Sequence, residues 1–285
     1  MFLRLAWPAR NLSLVSGRMR RIRQEESLKI DLYTWEPNSN SGKAFFALCE
    51  KNAQFDFHYV DMLKFEQHNP EYLARNPAGT LPTLVVDGKV FTESTQACEY
   101  ISEALPGPGF VPKDPYERYL MRWWAAHGSA WSGSLSVLGW SRLGSANQRS
   151  KEEQERIIAR IPTKERRIAW STAMSATFTE KQLEDARGGV RGGIKMMNQR
   201  LSETKAYFAG PTFSVADIAI FANAYRIHLQ FPETANDQVS PYYMDWLRRI
   251  YARPATPKAF SYSRGQIGQQ IPQIMKDLGV ASAAH

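Results

Sequence analysis

The sequence predicts an α/β N-terminal domain followed by an all-α C-terminal domain. Strand and helix patterns alternate over 28–105, a turn-rich PGPGFVPKDP occupies 106–115, and no convincing strand pattern appears from Tyr116 onward. At 285 residues the chain is long enough for one large domain or two modest ones. The expected divisions are a basic N-terminal extension (1–27), the α/β domain (28–106), a linker (107–115), the helical domain (116–260) and a C-terminal tail (261–285).

Each element has its own signal. LKIDLYTW (28–35) alternates apolar and polar residues and stops at Glu36-Pro37, so it reads as a strand. SGKAFFALCEKN (41–52) carries Ala44, Phe45, Leu48 and Cys49 on one helical stripe. QFDFHYVD (54–61) is a second strand, and 62–75 is polar and weakly helical, interrupted by Asn69-Pro70. LPTLVVDGKVFTE (81–93) reads as two strands joined by Asp87-Gly88, residues suited to a type I′ hairpin. STQACEYISEAL (94–105) is a helix capped by Ser94 and stopped by Pro106-Gly107-Pro108-Gly109. In the second half the clearest helix is FSVADIAIFANAYRIHL (213–229). There Ser214 and Asp217 form a capping-box pattern, and Phe213 is spaced to staple onto Ile218. ARGGVRGGIK (186–195) lacks the phosphate-loop spacing and any preceding strand, so its glycines point to a helix start or a close interhelical contact. The tail from Ser261 is rich in Gly and Gln and yields no assigned element.

Charge narrows the function classes. Of the formal +8, six units come from Arg4, Arg10, Arg18, Arg20, Arg21 and Arg23 in an acid-free first 24 residues, which leaves +2 for the rest. No dense basic stripe remains to favour nucleic acid. The N-terminal segment has the composition of an organellar transit peptide, but the favoured reading is the simpler one, a start at Met19 or a disordered tail. No apolar run approaches the roughly 20 residues of a membrane span. Cys49 and Cys98 each sit in an apolar helical pattern, which implies a reducing compartment and no disulfide framework. The five histidines lack ligand spacing, so no metal is expected.

Chemistry-bearing features converge in the first domain. Asn38-Ser39-Asn40-Ser41 places four small polar side chains at a strand–helix junction, with Ser41 expected as the N-cap. In NPAGTLPTL (76–84), Pro82 cannot donate to a sheet ladder, so it is an edge residue or a cis-proline turn. A cis bond would turn the Leu81 backbone outward, ready to pair with an extended peptide. In TEST (92–95), the Ser94 hydroxyl and the free N–H groups of a helix start make a carboxylate site.

The order and spacing of these features resemble the glutathione S-transferase superfamily, which joins a thioredoxin-like, glutathione-binding N-terminal domain to an all-α C-terminal domain. The sequence looks nearest to the bacterial glutathione-dependent β-etherases of lignin breakdown, in the branch acting on the S-configured β-aryl ether. That likeness is carried by NSGK (40–43), KFEQH (64–68), DGKVFTEST (87–95) with CEYI (98–101), GW (139–140) and WLRRIYARPA (246–255), and it spans 28–260. The resemblance implies that Leu81 and Pro82 present backbone to the cysteinyl unit of glutathione. By the same resemblance Glu93 and Ser94 hold its γ-glutamyl end, and His68 reaches its glycyl carboxylate. Thr80 departs from the longer polar residue the family often has before this Leu-Pro pair. Trp124, His127 and Trp131, spaced on one helix face, are the candidate substrate residues, with core packing as the alternative for such a stripe.

Ser41 and Asn40 are the candidate catalytic residues. A free thiol has a pKa of about 8.5, and the nucleophile is the thiolate. The helix start contributes about 0.3–1 kcal/mol towards the anion, and a hydrogen bond to it adds about 1.5–3 kcal/mol. Together these lower the thiol pKa by about one to three units. The implied reaction is displacement of an aryloxide beside a ketone, giving a glutathione thioether and a phenol. The implied co-substrate is glutathione and the other partner a small aromatic ether. The implied assembly is a homodimer, or a heterodimer with a paralogue, in the cytoplasm. The alternatives are a general glutathione S-transferase or dehalogenase acting on another aromatic electrophile, and a non-catalytic binding module.

Overall fold

The computed structural model describes residues 28–146, 149–175 and 177–281. The arginine-rich 1–24 segment, with its alternative readings, lies outside the described residues.

The first half is a four-stranded mixed sheet of order β2-β1-β3-β4, formed by β1 (Ile30–Thr34), β2 (Asp56–Tyr59), β3 (Thr83–Val86) and β4 (Lys89–Phe91). β1 runs parallel to β2 and antiparallel to β3, with Tyr33 opposite Thr83. β3 and β4 form a hairpin whose corner residues Asp87 and Gly88 have φ of 47° and 79°, the two positive values of the expected turn. Helices α1 (Ser39–Glu50) and α3 (Ser94–Ala104) pack on each other. Between β2 and β3 the polar stretch folds as two 3-10 turns, Met62–Lys64 and Glu66–His68, and the single-turn α2 (Pro70–Leu73).

Two helix starts differ from the sequence expectation. The Asn38 carbonyl accepts from the Gly42 N–H at 2.7 Å, so the first turn of α1 closes early. Asn38 is therefore the N-cap, and Ser41 is the third residue of the helix. Likewise the Glu93 carbonyl accepts from the Ala97 N–H at 2.8 Å, which makes Glu93 the N-cap and Ser94 the first helical residue.

The second half is helical throughout its described residues. It comprises α4 (Pro115–Ala130), α5 (Ser132–Ala146), α6 (Lys151–Ala159), α7 (Lys164–Ser175), α8 (Glu180–Thr204) and α9 (Val215–Ala224). The series continues with α10 (Ile227–Gln230), α11 (Pro241–Tyr251), α12 (Ala255–Phe260) and α13 (Gln266–Asp277). α9 is buried along its whole length except Asn223. Its first turn is fixed by Asp217, whose carboxylate accepts from Ser214 N (2.9 Å), Ser214 Oγ (3.0 Å), Trp246 Nε1 (2.9 Å) and Phe208 N (3.3 Å). Burial pushes this carboxyl up to about 6 while those four donors pull it down, so Asp217 is a structural hub for α9 and α11. Phe213 packs against Phe110 and Tyr207.

The paired glycines of 186–195 lie inside α8, where a Cβ on Gly189 would meet Ser134 Oγ at 2.5 Å and one on Gly193 would meet Trp131 at 3.2 Å. They permit close packing of α5 and its entry turn on α8. The tail left without an element contains α13, which buries Ile271, Ile274 and Met275 despite Pro272. The halves meet along α1: Phe46 packs edge-on against Phe221 (5.2 Å) and Phe260 (5.3 Å). Among the described residues no helix is long and apolar enough to cross a membrane.

Candidate functional site

Three chain segments reach the same end of the sheet. The antiparallel pairing of Tyr33 with Thr83 sets the end of β1 beside the start of β3, and Leu84 opposite Phe91 brings the end of β4 alongside. Residues 35–41, 80–82 and 93–95 therefore emerge together.

The first segment is tightly held. A Cβ on Gly42 would lie 2.7 Å from the Pro37 carbonyl carbon, so only glycine lets the helix start approach the loop this closely. Ser39 has φ of 48°, a left-handed backbone uncommon outside glycine. Asn40 is exposed and Ser41 buried, and the Ser41 carbonyl accepts from Thr34 Oγ1 at 3.4 Å. The Tyr225 hydroxyl, pushed up chiefly by burial, is drawn back by Arg226 and by the neighbouring Asn38 side chain.

In the second segment the Leu81–Pro82 peptide is cis, the second of the two alternatives the sequence left open. The Asn76 amide donates to Thr80 O (2.9 Å), Thr80 Oγ1 (3.0 Å) and Thr83 Oγ1 (3.1 Å), and Tyr72 OH donates to Thr80 O (2.5 Å). Burial pushes the Tyr72 hydroxyl up to about 12, so it remains a donor. The third segment begins at exposed Glu93 and half-buried Ser94. Beneath it Lys43, 2% exposed, donates from Nζ to Thr95 Oγ1 at 3.2 Å and so joins α1 to α3. Desolvation lowers the Lys43 pKa, opposed by Cys98 and the negative charge of Glu93.

His68 lies beside the second segment but deep. It is fully buried against Gly79, where an added Cβ would come within 2.7 Å of its ring, and Trp170 of α7 stands edge-on to it at 6.2 Å. Among the described residues, neither ring nitrogen has a hydrogen-bond partner, nor do the two amide atoms of buried Gln67. Burial lowers the His68 pKa to about 4, helped by the positive charges of Arg166 and Arg160, so the ring is neutral at pH 7. Arg166 reaches down from α7 to donate from Nη2 to the Gly79 carbonyl at 2.8 Å, while its Nε is buried without a partner. Gln67, Lys43 and Arg166 were missed as site residues by sequence reasoning. The only local signal was a buried cation inside an apolar helix stripe for Lys43. Nothing local marks Arg166, which is brought in by α7.

The three substrate candidates separate. Trp131 lies in the break between α4 and α5, not on the α4 face, because α4 ends at Ala130. Trp124 and Trp131 are both buried, the former against Phe208 (5.1 Å) and the latter against Gly193. His127 is exposed, stacked 3.6 Å from Trp123, whose carbonyl lies 2.8 Å from His127 Nδ1. On the His68 side of the first domain, Trp170 of α7 packs against Phe65 at 4.9 Å, and Trp140 of α5 lies behind Trp170 at 5.0 Å. A cavity of about 350 Å³ between α5 and α8 is lined by Leu138, Arg187, Arg191 and Phe231. It lies apart from these segments, and its arginines are paired with Glu180, Glu184 and Glu233.

A sheet of this order carrying a cis-proline and two helix starts at one end, followed by a helical half packed on α1, defines a thioredoxin-like domain joined to an all-α domain. The glutathione S-transferase N-terminal domain profile matches residues 39–104 and the corresponding C-terminal domain profile matches 180–249. Protein LigF of a Sphingobium species is 34% identical over 248 residues, covering 83% of this chain and 95% of that protein. The crystal structure of the beta-etherase LigF from Sphingobium superposes with a TM-score of 0.75 at 32% identity, covering 82% of this chain and all of that one. An epsilon-class glutathione S-transferase from the housefly matches with a TM-score of 0.60 at 18% identity, over 89% of this chain and 100% of that one, a likeness of fold. The chain belongs to the glutathione S-transferase family.

Proposed function

We propose that this glutathione S-transferase is a glutathione-dependent β-etherase acting on α-keto β-aryl ethers of the lignin type. The observation that carries the reading is the 34% identity to LigF, a beta-etherase, over 95% of that protein's length. Glutathione loses its thiol proton to solvent, and the sulfur attacks the carbon beside the ketone. The carbon–oxygen bond breaks with its electron pair leaving on the aryloxide, which takes up a proton to become the phenol. A phenol pKa of about 10 makes that oxygen a tolerable leaving group.

Ser41 and Asn40 donate to the thiolate from the first turn of α1, where the helix dipole also favours the anion. Leu81, beside cis-Pro82, pairs its backbone with the cysteinyl unit, and Glu93 with Ser94 takes the γ-glutamyl end. The unpartnered donors of Gln67, His68 and Arg166 fit the glycyl carboxylate, with Arg166 supplying the positive charge. Of the three expected substrate residues only His127 is exposed and remains our candidate contact to the electrophile, whereas the burial of Trp124 and Trp131 supports a packing role. We assign the protein to the cytoplasm, a reading supported by two buried unpaired cysteines whose thiols burial pushes up to about 12. A dimeric state is supported by exposed Tyr116 and Tyr119, stacked at the start of α4, and by exposed Val90 on β4.

The test supplies glutathione with each enantiomer of an α-keto β-aryl ether and follows phenol release. Release from the S enantiomer in preference to the R enantiomer is expected. No phenol from either would overturn the etherase assignment.

A further inference from the structure

The loop before α1 is fastened to the far end of the chain through Glu36. This residue is 4% exposed, and its carboxylate is taken up by donors of the protein itself. Oε1 accepts from Tyr59 OH (3.2 Å), Arg264 N (3.2 Å) and Gly265 N (3.1 Å), and Oε2 accepts from Ser263 Oγ (2.5 Å). Gly265 is the N-cap of α13, so the carboxylate of one element caps the exposed N–H groups of another more than 200 residues away. The fastening continues on both sides. Tyr262 packs on Phe45 (5.3 Å), Phe55 (5.0 Å) and Phe57 (5.8 Å), and the Arg264 guanidinium sits 4.5 Å above the Tyr59 ring.

What Glu36 holds is the start of α1. Its carbonyl accepts from Asn38 N at 2.7 Å, and the Asn38 carbonyl accepts in turn from Gly42 N at 2.7 Å. Asn40 and Ser41 lie inside that short chain of bonds. The titratable groups facing Glu36 are Tyr59 on β2, Tyr225 after α9 and Arg264 before α13. Tyr59 is pushed up to about 12, first by burial and then by the Glu36 charge, so it remains a hydrogen-bond donor. Glu36 and residues 263–265 fall outside both matched domain profiles.

We infer that Glu36 is a positioning residue, and that the C-terminal segment 262–265 with α13 is the clamp that sets where the Asn40 and Ser41 donors stand relative to the glutathione sulfur. The inference rests on the proposed function at this site. The donors act over hydrogen-bond distances, so a shift of a few tenths of an ångström at the loop weakens them before it disturbs the sheet.

The experiment titrates the thiolate absorbance of bound glutathione in the wild-type protein and in Glu36→Gln, with binding of S-methylglutathione as the thiol-independent reference. Glu36→Gln removes the negative charge and replaces one of the two acceptor oxygens by an N–H₂, which weakens the hold on the donors of 263–265 and loosens the clamp. The expected result is a thiolate midpoint raised by about one pH unit, equivalent to a tenfold fall in the thiolate-to-thiol ratio at a given pH. S-methylglutathione affinity should change by less than about twofold, since its contacts lie elsewhere. If Glu36→Gln does not fold, Ser263→Ala removes one donor from the same carboxylate and must move the midpoint in the same direction. An unchanged midpoint in the folded variant overturns the inference. Failure of the wild-type protein to bind glutathione at all would overturn the underlying functional reading instead.

Discussion

Arg253, just beyond α11, grips both carboxylate oxygens of Glu50 at the end of α1, with Nε at 2.5 Å and Nη2 at 2.7 Å. The guanidinium also lies 3.7 Å over the Phe213 ring. The pair is mostly buried, with side-chain exposures of 28% and 13%, and it joins the two halves of the molecule beside the Phe46 contacts. Arg253→Met leaves Glu50 without its charge partner and is expected to cost about 2–3 kcal/mol in denaturant unfolding. Adding Glu50→Gln to that variant should recover part of the loss, because the two residues form one interaction. Additive losses would show that they act independently.

Two histidines predict acid lability. Burial lowers both His68 and His228 from the ordinary 6.5 to about 4. Between those values the unfolded chain binds protons that the folded chain does not, so their contribution is present above pH 6.5 and is lost as pH falls towards 4. The pair should steepen the fall in stability by up to about 2.7 kcal/mol per pH unit across that window. Thermal melts between pH 7 and pH 4.5 check this, and His68→Gln with His228→Gln should flatten the profile.

Gly79 combines a φ of 60° with contacts that a Cβ cannot share, 2.7 Å from the His68 ring and 3.1 Å from the Gln67 carbonyl. Gly79→Ala is expected to destabilise the fold by more than about 1 kcal/mol. It should also weaken glutathione binding, since the Thr80–Pro82 segment moves with it. Isothermal titration with glutathione on the folded variant measures the second effect.

Removing the proposed thiol donors should give a loss that depends on pH. Ser41→Ala or Asn40→Ala is expected to slow turnover about tenfold or more near pH 7 and much less near pH 9, where the free thiol ionises unaided. An equal loss at both values would mean that the side chain positions the helix or the substrate and does not tune the thiol.

Arg166 separates the glycyl end from the rest of glutathione. Arg166→Met is expected to raise KM for glutathione about tenfold, the scale of one lost charged hydrogen bond, with kcat little changed. The dipeptide γ-glutamylcysteine, which lacks the glycyl carboxylate, should be affected far less. Equal losses with both thiols would remove Arg166 from that role.

The strands were legible because alternation of apolar and polar residues is a local property, and Asp87-Gly88 specifies its turn with two residues. α9 was legible because Ser214 and Asp217 answer each other within one turn. Helix starts were legible only to within a few residues, since which carbonyl closes the first turn depends on the loop before it, as at Asn38. α13 escaped notice because Gly, Gln and Pro272 dilute its pattern. Its Ile271, Ile274 and Met275 are stabilised by the surface they cover.

By itself the sequence determined the α/β and helical halves, the place of Pro82 ahead of its strand and the polar residues at the helix starts, all encoded within a few positions of one another. The tertiary structure decided which distant groups complete them. Arg166 meets Gly79 from 87 residues away, and the 263–265 segment meets Glu36 across more than 200. The physical reason is that a hydrogen bond between distant residues leaves no periodic trace in either partner's neighbourhood. It exists only once packing of the intervening helices has brought the two together.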